Sequence, residues 1–514
     1  MRRLLLLCLL LAGSAAAQRT VPERTDFLET SRHAAVLAFI ADVASSERLF
    51  ATTMGYSNEG RAIPLVIVGA DDPSPAGVRA SGKTRVYLQG NIHAGEVCGK
   101  EALQMMLREL ADGEGTAWTD SLILLIAPIY NADGNERIHL RNRGRQHGPL
   151  AGMGQRPNAQ DLDLNRDHTK LESPESRALV ALYDAYDPHV VVDLHTTNGT
   201  YHAYHLTYAP PLHPNTPASI DRMLRDDWLP WITDRVEDTY GWHFYHYGNM
   251  PWPGVDAPDG WYTFDARPRF SSNYAGLRNR FGILSEAYSY LTFEERIQAT
   301  KVFVEQILDY ASINASAIRA VTENADRRAI VGDSLAVRAD YLATPDSVEI
   351  LMGDVVEETN PYSGELILRR LDVVNPTPLK EYIAFQPSER ERVPSRYFLP
   401  AEATQALALL DAHGIKTQAL NAPMTVDVEV FDITGSTLAQ REFQGHRQRS
   451  IEGQYRTDAV ELPAGTVQIE IDQPLGRLAF FLLEPRSDDG FTNWNVFDDL
   501  LDGATQYPVV RSVD

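Results

Sequence analysis

Five short, nearly continuous apolar runs constrain this chain more than any other feature. They lie at residues 65–68, 86–88, 122–126, 190–192 and 281–284. Runs of this kind suit strands buried on both faces, as in a mixed sheet covered by helices. Helical patterns lie between or after them, at residues 100–110, 174–185 and 293–315. This alternation across residues 18–320 predicts an α/β sandwich. The texture changes from about residue 325. Residues 334–341, 347–352, 425–434 and 466–471 read as strands separated by Pro, Gly and Asp turns. One helix, 401–412, stops at His413-Gly414. Residues 325–514 are therefore expected to form a smaller, mostly-β accessory region of one or two subdomains, packed on the first part.

Composition narrows the function. The 514 residues carry a net charge of −23, and a chain that acidic repels phosphate backbones, so general nucleic-acid binding is disfavoured. Two cysteines, Cys8 and Cys98, are too few for a disulfide framework or a thiolate zinc site. Residues 1–17 combine a basic start (Arg2-Arg3), an apolar stretch (4–11) and Ala15-Ala16-Ala17. That is the layout of a secretory signal peptide, with cleavage expected after Ala17. The apolar stretch is too short for a permanent anchor, and no other segment is long and apolar enough to span a bilayer. The protein is expected to be secreted or periplasmic.

The residues that carry chemistry sit at the ends of the apolar runs. The second run leads into Asn91-Ile92-His93-Ala94-Gly95-Glu96, with a helix expected from about Glu96. Open α/β folds place ligands at this edge of the sheet, and His93 and Glu96 can put an imidazole and a carboxylate on one cation. Alone, such a pair arises by chance in many chains. The fourth run ends in Asp193-Leu194-His195. Strand side chains alternate, so residues 193 and 195 share a face; His195 offers a second imidazole, while Asp193 either backs the ligands or caps a loop. Two histidines and a carboxylate with an open fourth position are the arrangement of catalytic zinc, which activates water. The fifth run ends at Glu286. A carboxylate at the end of an apolar strand is costly unless it is paired or put to use. Glu286 either forms a salt bridge to Arg278 or Arg280 or serves as a general base. Finally, Asp161-Leu162-Asp163-Leu164-Asn165-Arg166 supplies a planar fork for a carboxylate and a neutral donor. Arg137, Arg141, Arg143 and Arg145 follow Asn131-Ala132-Asp133-Gly134. They either meet an anion or pair with surface acids.

In this order, His93-x-x-Glu96, Asn165-Arg166, strand-end His195 and strand-end Glu286 resemble the zinc carboxypeptidase (metallocarboxypeptidase) family, as a divergent, secreted bacterial-type member. Gly55-Tyr56-Ser57-Asn58-Glu59-Gly60-Arg61 and Asn131-Ala132-Asp133-Gly134 look like further parts of its pattern. The resemblance covers about residues 45–310. It implies an eight-stranded mixed sheet sandwiched by helices, and one Zn2+ held by His93, Glu96 and His195. It further implies Glu286 as general base and proton shuttle, with Asn165 and Arg166 on the terminal carboxylate of a peptide substrate. Arg143, ahead of Arg141 and Arg145, would answer the oxyanion. Tyr262, or else Tyr274, would correspond to the family's mobile substrate-binding tyrosine. The 98 residues between Glu96 and His195 are fewer than in digestive carboxypeptidases and approach the aspartoacylase branch.

The resulting expectation is an exported zinc-dependent metallocarboxypeptidase that hydrolyses C-terminal peptide bonds. Its rivals are a zinc amidase or deacylase of the aspartoacylase type, including a cell-wall peptide amidase, and an inactive zinc-hydrolase fold used as a binding module. His202, His205, His243 and His246 are weak candidates for a second metal. Asp167-His168 would shape the carboxylate site, Cys98 would be a small core residue, and residues 251–260 would form a loop on the side of the site.

Overall fold

A computed structural model describes residues 19–197, 199–252 and 254–513; the signal peptide expected at residues 1–17 lies outside the described residues. The strands of the first part are β1 (Leu49–Tyr56), β2 (Ala62–Val68), β3 (Thr84–Gly90), β4 (Leu122–Ala127), β5 (Val190–Thr197), β6 (Leu206–Ala209), β7 (Phe244–His246), β8 (Trp261–Tyr262) and β9 (Phe281–Tyr288). All but β8 join one eight-stranded sheet in the order β1-β2-β4-β3-β5-β9-β6-β7. Strands β4, β3, β5 and β9 run parallel to one another, while β1, β2 and β6 pair antiparallel with their inner neighbours. The mixed sheet expected from the apolar runs is thus present, and all five runs are strands within it.

Each central strand divides its side chains between two cores. Val86, Leu88, Val190, Val192 and Leu194 face one cluster with α1 (His33–Val43), α2 (Cys98–Asp112) and several later helices. Tyr87 and Val191 face the opposite cluster with α3 (Pro174–Tyr186). Burying an aliphatic or aromatic side chain stabilises the fold by about 1.5–3 kcal/mol, which is why the middles of these strands are apolar. Helix α2 begins at Cys98, two residues later than expected; Glu96 sits in the preceding turn, where its N–H donates to His93 O at 2.8 Å. The helix expected at 293–315 ends at Ile313, and a second one, Ala315–Arg327, follows directly.

The C-terminal part is mostly β, as expected. Its largest sheet has six strands in the order Gln418–Ala419, Val467–Glu470, Arg396–Leu399, Val510–Ser512, Met424–Leu438 and Arg449–Leu462. The expected helix spans Thr404–Ala412. A second, Gly476–Leu483, is buried along its whole length; apart from Arg477 its side chains offer no polar face for a sequence pattern to reveal. Val337, Val393, Phe431 and Phe480 from this part join the same cluster as Tyr87 and Val191. The two parts therefore share one core across that face of the main sheet.

Candidate active site

The parallel strands deliver their polar residues to one edge. The turn after β3 carries His93 and Glu96, β5 ends in Asp193, His195, Thr196 and Thr197, and Glu286 of β9 stands directly across from His195 in the ladder. Gly95 lets the β3 turn approach the loop opposite, since a Cβ there would lie 2.5 Å from Arg143 Cγ and 2.7 Å from Gly154 O. Asn91 holds φ +69°, a left-handed conformation in which Asn is among the tolerated residues.

His93, Glu96 and His195 are buried, and one ligand atom from each lies within 4.8 Å of the others. Glu96 Oε1 is 3.0 Å from His93 Nδ1, and Glu96 Oε2 is 2.9 Å from His195 Nδ1. The far nitrogen of each ring meets a second carboxylate: His93 Nε2 is 3.0 Å from Asp163 Oδ1, and His195 Nε2 is 2.9 Å from Asp193 Oδ2. These carboxylates favour protonation at Nε2 and turn both Nδ1 lone pairs inward, the arrangement that presents imidazoles to a metal. The donor set fits a single zinc ion: two imidazoles and one carboxylate, with both rings oriented from behind. Asp193 therefore stands behind the His195 ring and does not cap a loop. Burial pushes the Glu96 carboxyl up, but His93, Arg143 and His195 outweigh it and hold it well below the usual range. Asp163 follows the same pattern, with His93, Arg156 and Arg166 outweighing burial.

A cavity of about 220 Å³ opens on this cluster. Glu286, Arg143, Asn165 and Arg166 all line it, as do two residues not singled out from the sequence, Arg156 and Tyr247. Burial and the neighbouring Glu96 carboxylate raise Glu286 to about 8, against the pull of His195, Arg143 and Arg156. The alternative role of Glu286 in a salt bridge falls away: Arg278 pairs with Asp184, and Arg280 with Asp187 and Asp326. Arg143 donates to Glu96 Oε1, whereas Arg141 reaches outward to Glu365 at 3.1 Å and Arg137 to Glu59 at 3.3 Å. Asn165 Oδ1 accepts from Ser271 N at 2.8 Å. Arg166 donates to Asn165 O at 2.7 Å and lies 3.9 Å over the Phe270 ring.

Other residues fall outside the cavity. Tyr262 stacks on Tyr382 at 4.1 Å, donates its hydroxyl to Pro258 O, and belongs to a strand paired with Asn375–Tyr382. Tyr274 is buried 2.7 Å from His413 Nδ1. Tyr247 is the aromatic hydroxyl in the cavity; the aromatic segment around it offered no spacing that distinguished it. Asp167 faces away, accepting from Ser173 N and Lys170 Nζ, and His168 Nδ1 meets Arg269 O. His202 packs on Tyr288 at 3.9 Å and His205 on Trp242 at 5.5 Å. Among the described residues these histidines form no second ligand group. Cys98 Sγ is buried 3.0 Å from Thr196 Oγ1, as a core residue.

The family model for zinc carboxypeptidase matches residues 36–211, the stretch that holds His93, Glu96, Arg143, Asn165, Arg166 and His195. The match makes this stretch similar to a zinc carboxypeptidase domain. The chain's relatives agree along most of its length. Carboxypeptidase 2 of Trichophyton equinum is 24% identical over 487 residues, covering 88% of this chain and 81% of that relative. Carboxypeptidase 2 of Trichophyton rubrum is 24% identical over 491 residues, with the same coverage. Solved structures similar to this chain include a metallo-carboxypeptidase from Burkholderia cenocepacia (TM-score 0.41, 17% identity, 55% of this chain and 69% of that one). Carboxypeptidase A from Helicoverpa armigera is another (TM-score 0.40, 17% identity, 61% and 79%). The relatives and the family model thus agree on one kind of enzyme, the zinc carboxypeptidase.

Proposed function

We propose that this protein is an exported zinc carboxypeptidase that removes the C-terminal residue from peptides, with His93, Glu96 and His195 holding one zinc ion. The observation that carries this reading is the shared cavity: a ligand cluster, a desolvated carboxylate and three arginines face the same space. Zinc bound there supplies Lewis acidity and a water activated at neutral pH. The remaining work falls to the chain's own groups. Arg166, braced on Phe270, and Asn165 bind the substrate's terminal carboxylate; the guanidinium fork matches its two oxygens. Glu286 takes the proton from the attacking water and returns it to the leaving amine. A cation on the three ligands opposes the desolvation that raises Glu286 and favours its carboxylate form. Arg143 meets the charge that grows on the carbonyl oxygen. Arg156, held by Asp163 at 2.7 Å, adds to the same positive field, and Tyr247 takes the substrate-side position that the sequence offered to Tyr262. Export rests on the residues 1–17 pattern; no helix of the described residues is long and apolar enough to cross a membrane.

Glu286→Gln tests the reading. It preserves shape and removes the base, so kcat should fall by about 1,000-fold or more while zinc stays bound at one equivalent. Retained activity in that variant rejects the assignment. Loss of zinc from the wild-type protein would favour the binding-module alternative.

A further inference from the structure

The two long strands Met424–Leu438 and Arg449–Leu462 form a hairpin whose tip reaches the loop that carries Asp163, Asn165 and Arg166. Phe443 and His446 exchange backbone hydrogen bonds at 2.8 and 3.0 Å, which makes Gln444-Gly445 the two turn residues. Both have positive φ, +53° and +80°. Turns of this kind favour Asn-Gly, Asp-Gly or Gly-Gly. A glutamine there carries a backbone cost that Gly or Asn would avoid.

The side chain accounts for the choice. Gln444 Oε1 accepts the Asp163 N–H at 2.8 Å. The Asp163 carboxylate then meets His93 Nε2 and Asn165 N through one oxygen and Arg156 and Arg166 through the other. Neighbouring contacts fix the tip in place. His446 Nε2 lies 2.6 Å from Glu172 Oε1. Arg269 sits 5.1 Å over the Phe443 ring, with its carbonyl 3.0 Å from His168 Nδ1. The C-terminal part therefore grips the Asp163–Arg166 loop from outside, at the junction between a metal ligand and the carboxylate fork.

We propose that this hairpin tip is a positioning element of the active site, with Gln444 as a positioning residue that sets Asp163, and through it Arg166, for the substrate carboxylate. The inference rests on the carboxypeptidase reading of Asn165 and Arg166. It gives the C-terminal part a role in substrate binding as well as in the core.

Gln444→Gly in the full-length protein separates this role from a merely structural one. Glycine relieves the turn but removes the acceptor, so the melting temperature should equal or exceed that of the wild type. Hydrogen exchange at the Asp163–Arg166 amides should quicken by about tenfold. KM for a peptide with a free terminal carboxylate should rise by about 5- to 10-fold, with kcat within about twofold. Gln444→Glu, which keeps an acceptor of the same reach, should restore the slow exchange. Unchanged exchange in Gln444→Gly, or faster exchange with unchanged KM, overturns the proposal. If the wild-type protein releases no C-terminal residue, the carboxypeptidase reading fails, and the exchange comparison alone still decides whether Gln444 holds the loop.

Discussion

Replacing Asp193 by Asn probes how the site prepares its ligands. Asp193 is 1% exposed and holds His195 Nε2 at 2.9 Å, while Ser271 Oγ and, at 3.2 Å, Gln89 Nε2 donate to it. Asparagine fits the same space, so the ring keeps its orientation. What disappears is a full negative charge behind the imidazole, in a place with no water to replace it. Loss of a partner behind a metal-ligating histidine lowers metal affinity by about 10- to 100-fold. That is about 1.4–2.7 kcal/mol, and the complete burial of Asp193 puts the expected effect in the upper half of the range. Competition for zinc against a chromogenic chelator at neutral pH measures it. With zinc in excess, KM should stay within about threefold of wild type, because Asp193 bonds to His195, Ser271 and Gln89 and leaves Arg156 and Arg166 to Asp163. Asp163→Asn is the control with a different outcome: it also frees Arg156, so both zinc affinity and KM should suffer. Zinc affinity of Asp193→Asn within about twofold of wild type would refute the claim that this carboxylate tunes His195.

Further outcomes follow from the same geometry. Tyr247→Phe should raise KM severalfold, whereas Tyr262→Phe should leave kcat and KM unchanged, since Tyr262 is stacked on Tyr382 away from the cavity; steady-state kinetics on one peptide separates them. Asp488 is raised to about 7, by burial first and then by the adjacent Asp489 carboxylate. Its folded form holds a proton that the unfolded chain releases near pH 4, so stability is lost as pH rises from about 4 through 7. Asp488 is only partly buried in the fold, so Asp488→Asn should gain about 1–2 kcal/mol at pH 8 and nothing near pH 4, read by denaturant unfolding at both pH values.

The centre of the sheet was legible because burial on both faces leaves an unbroken apolar run, and the polar residues that follow the second, fourth and fifth runs marked the candidate site. His93, Glu96, His195 and Glu286 all follow from that rule. The edges of the sheet were less plain: β1 is exposed along much of its length, and β6 and β7 are four and three residues long. The arginines were legible as a group but not individually. Arg143 and Arg141 differ by two positions, yet one turns to Glu96 and the other to Glu365; that difference depends on Gly95 and the loop opposite. Arg156 carries no local signal, because its partner Asp163 is set by a turn and by Gln444, 281 residues further on. Tyr262 lies in the expected region of the sequence but is drawn into pairing with Asn375–Tyr382, a contact that only the C-terminal fold creates.

The central claim is that the cavity hydrolyses the last peptide bond by recognising a free carboxylate beside zinc. The most direct measurement is the rate of release of the C-terminal residue from two peptides of one sequence, one ending in a carboxylate and the other in an amide, with and without a zinc chelator. Release from the free acid should be chelator-sensitive, and kcat/KM should be at least about 100-fold lower for the amide, because the amide offers Arg166 no anion. Equal cleavage of both peptides, or release that survives removal of zinc, would contradict the claim.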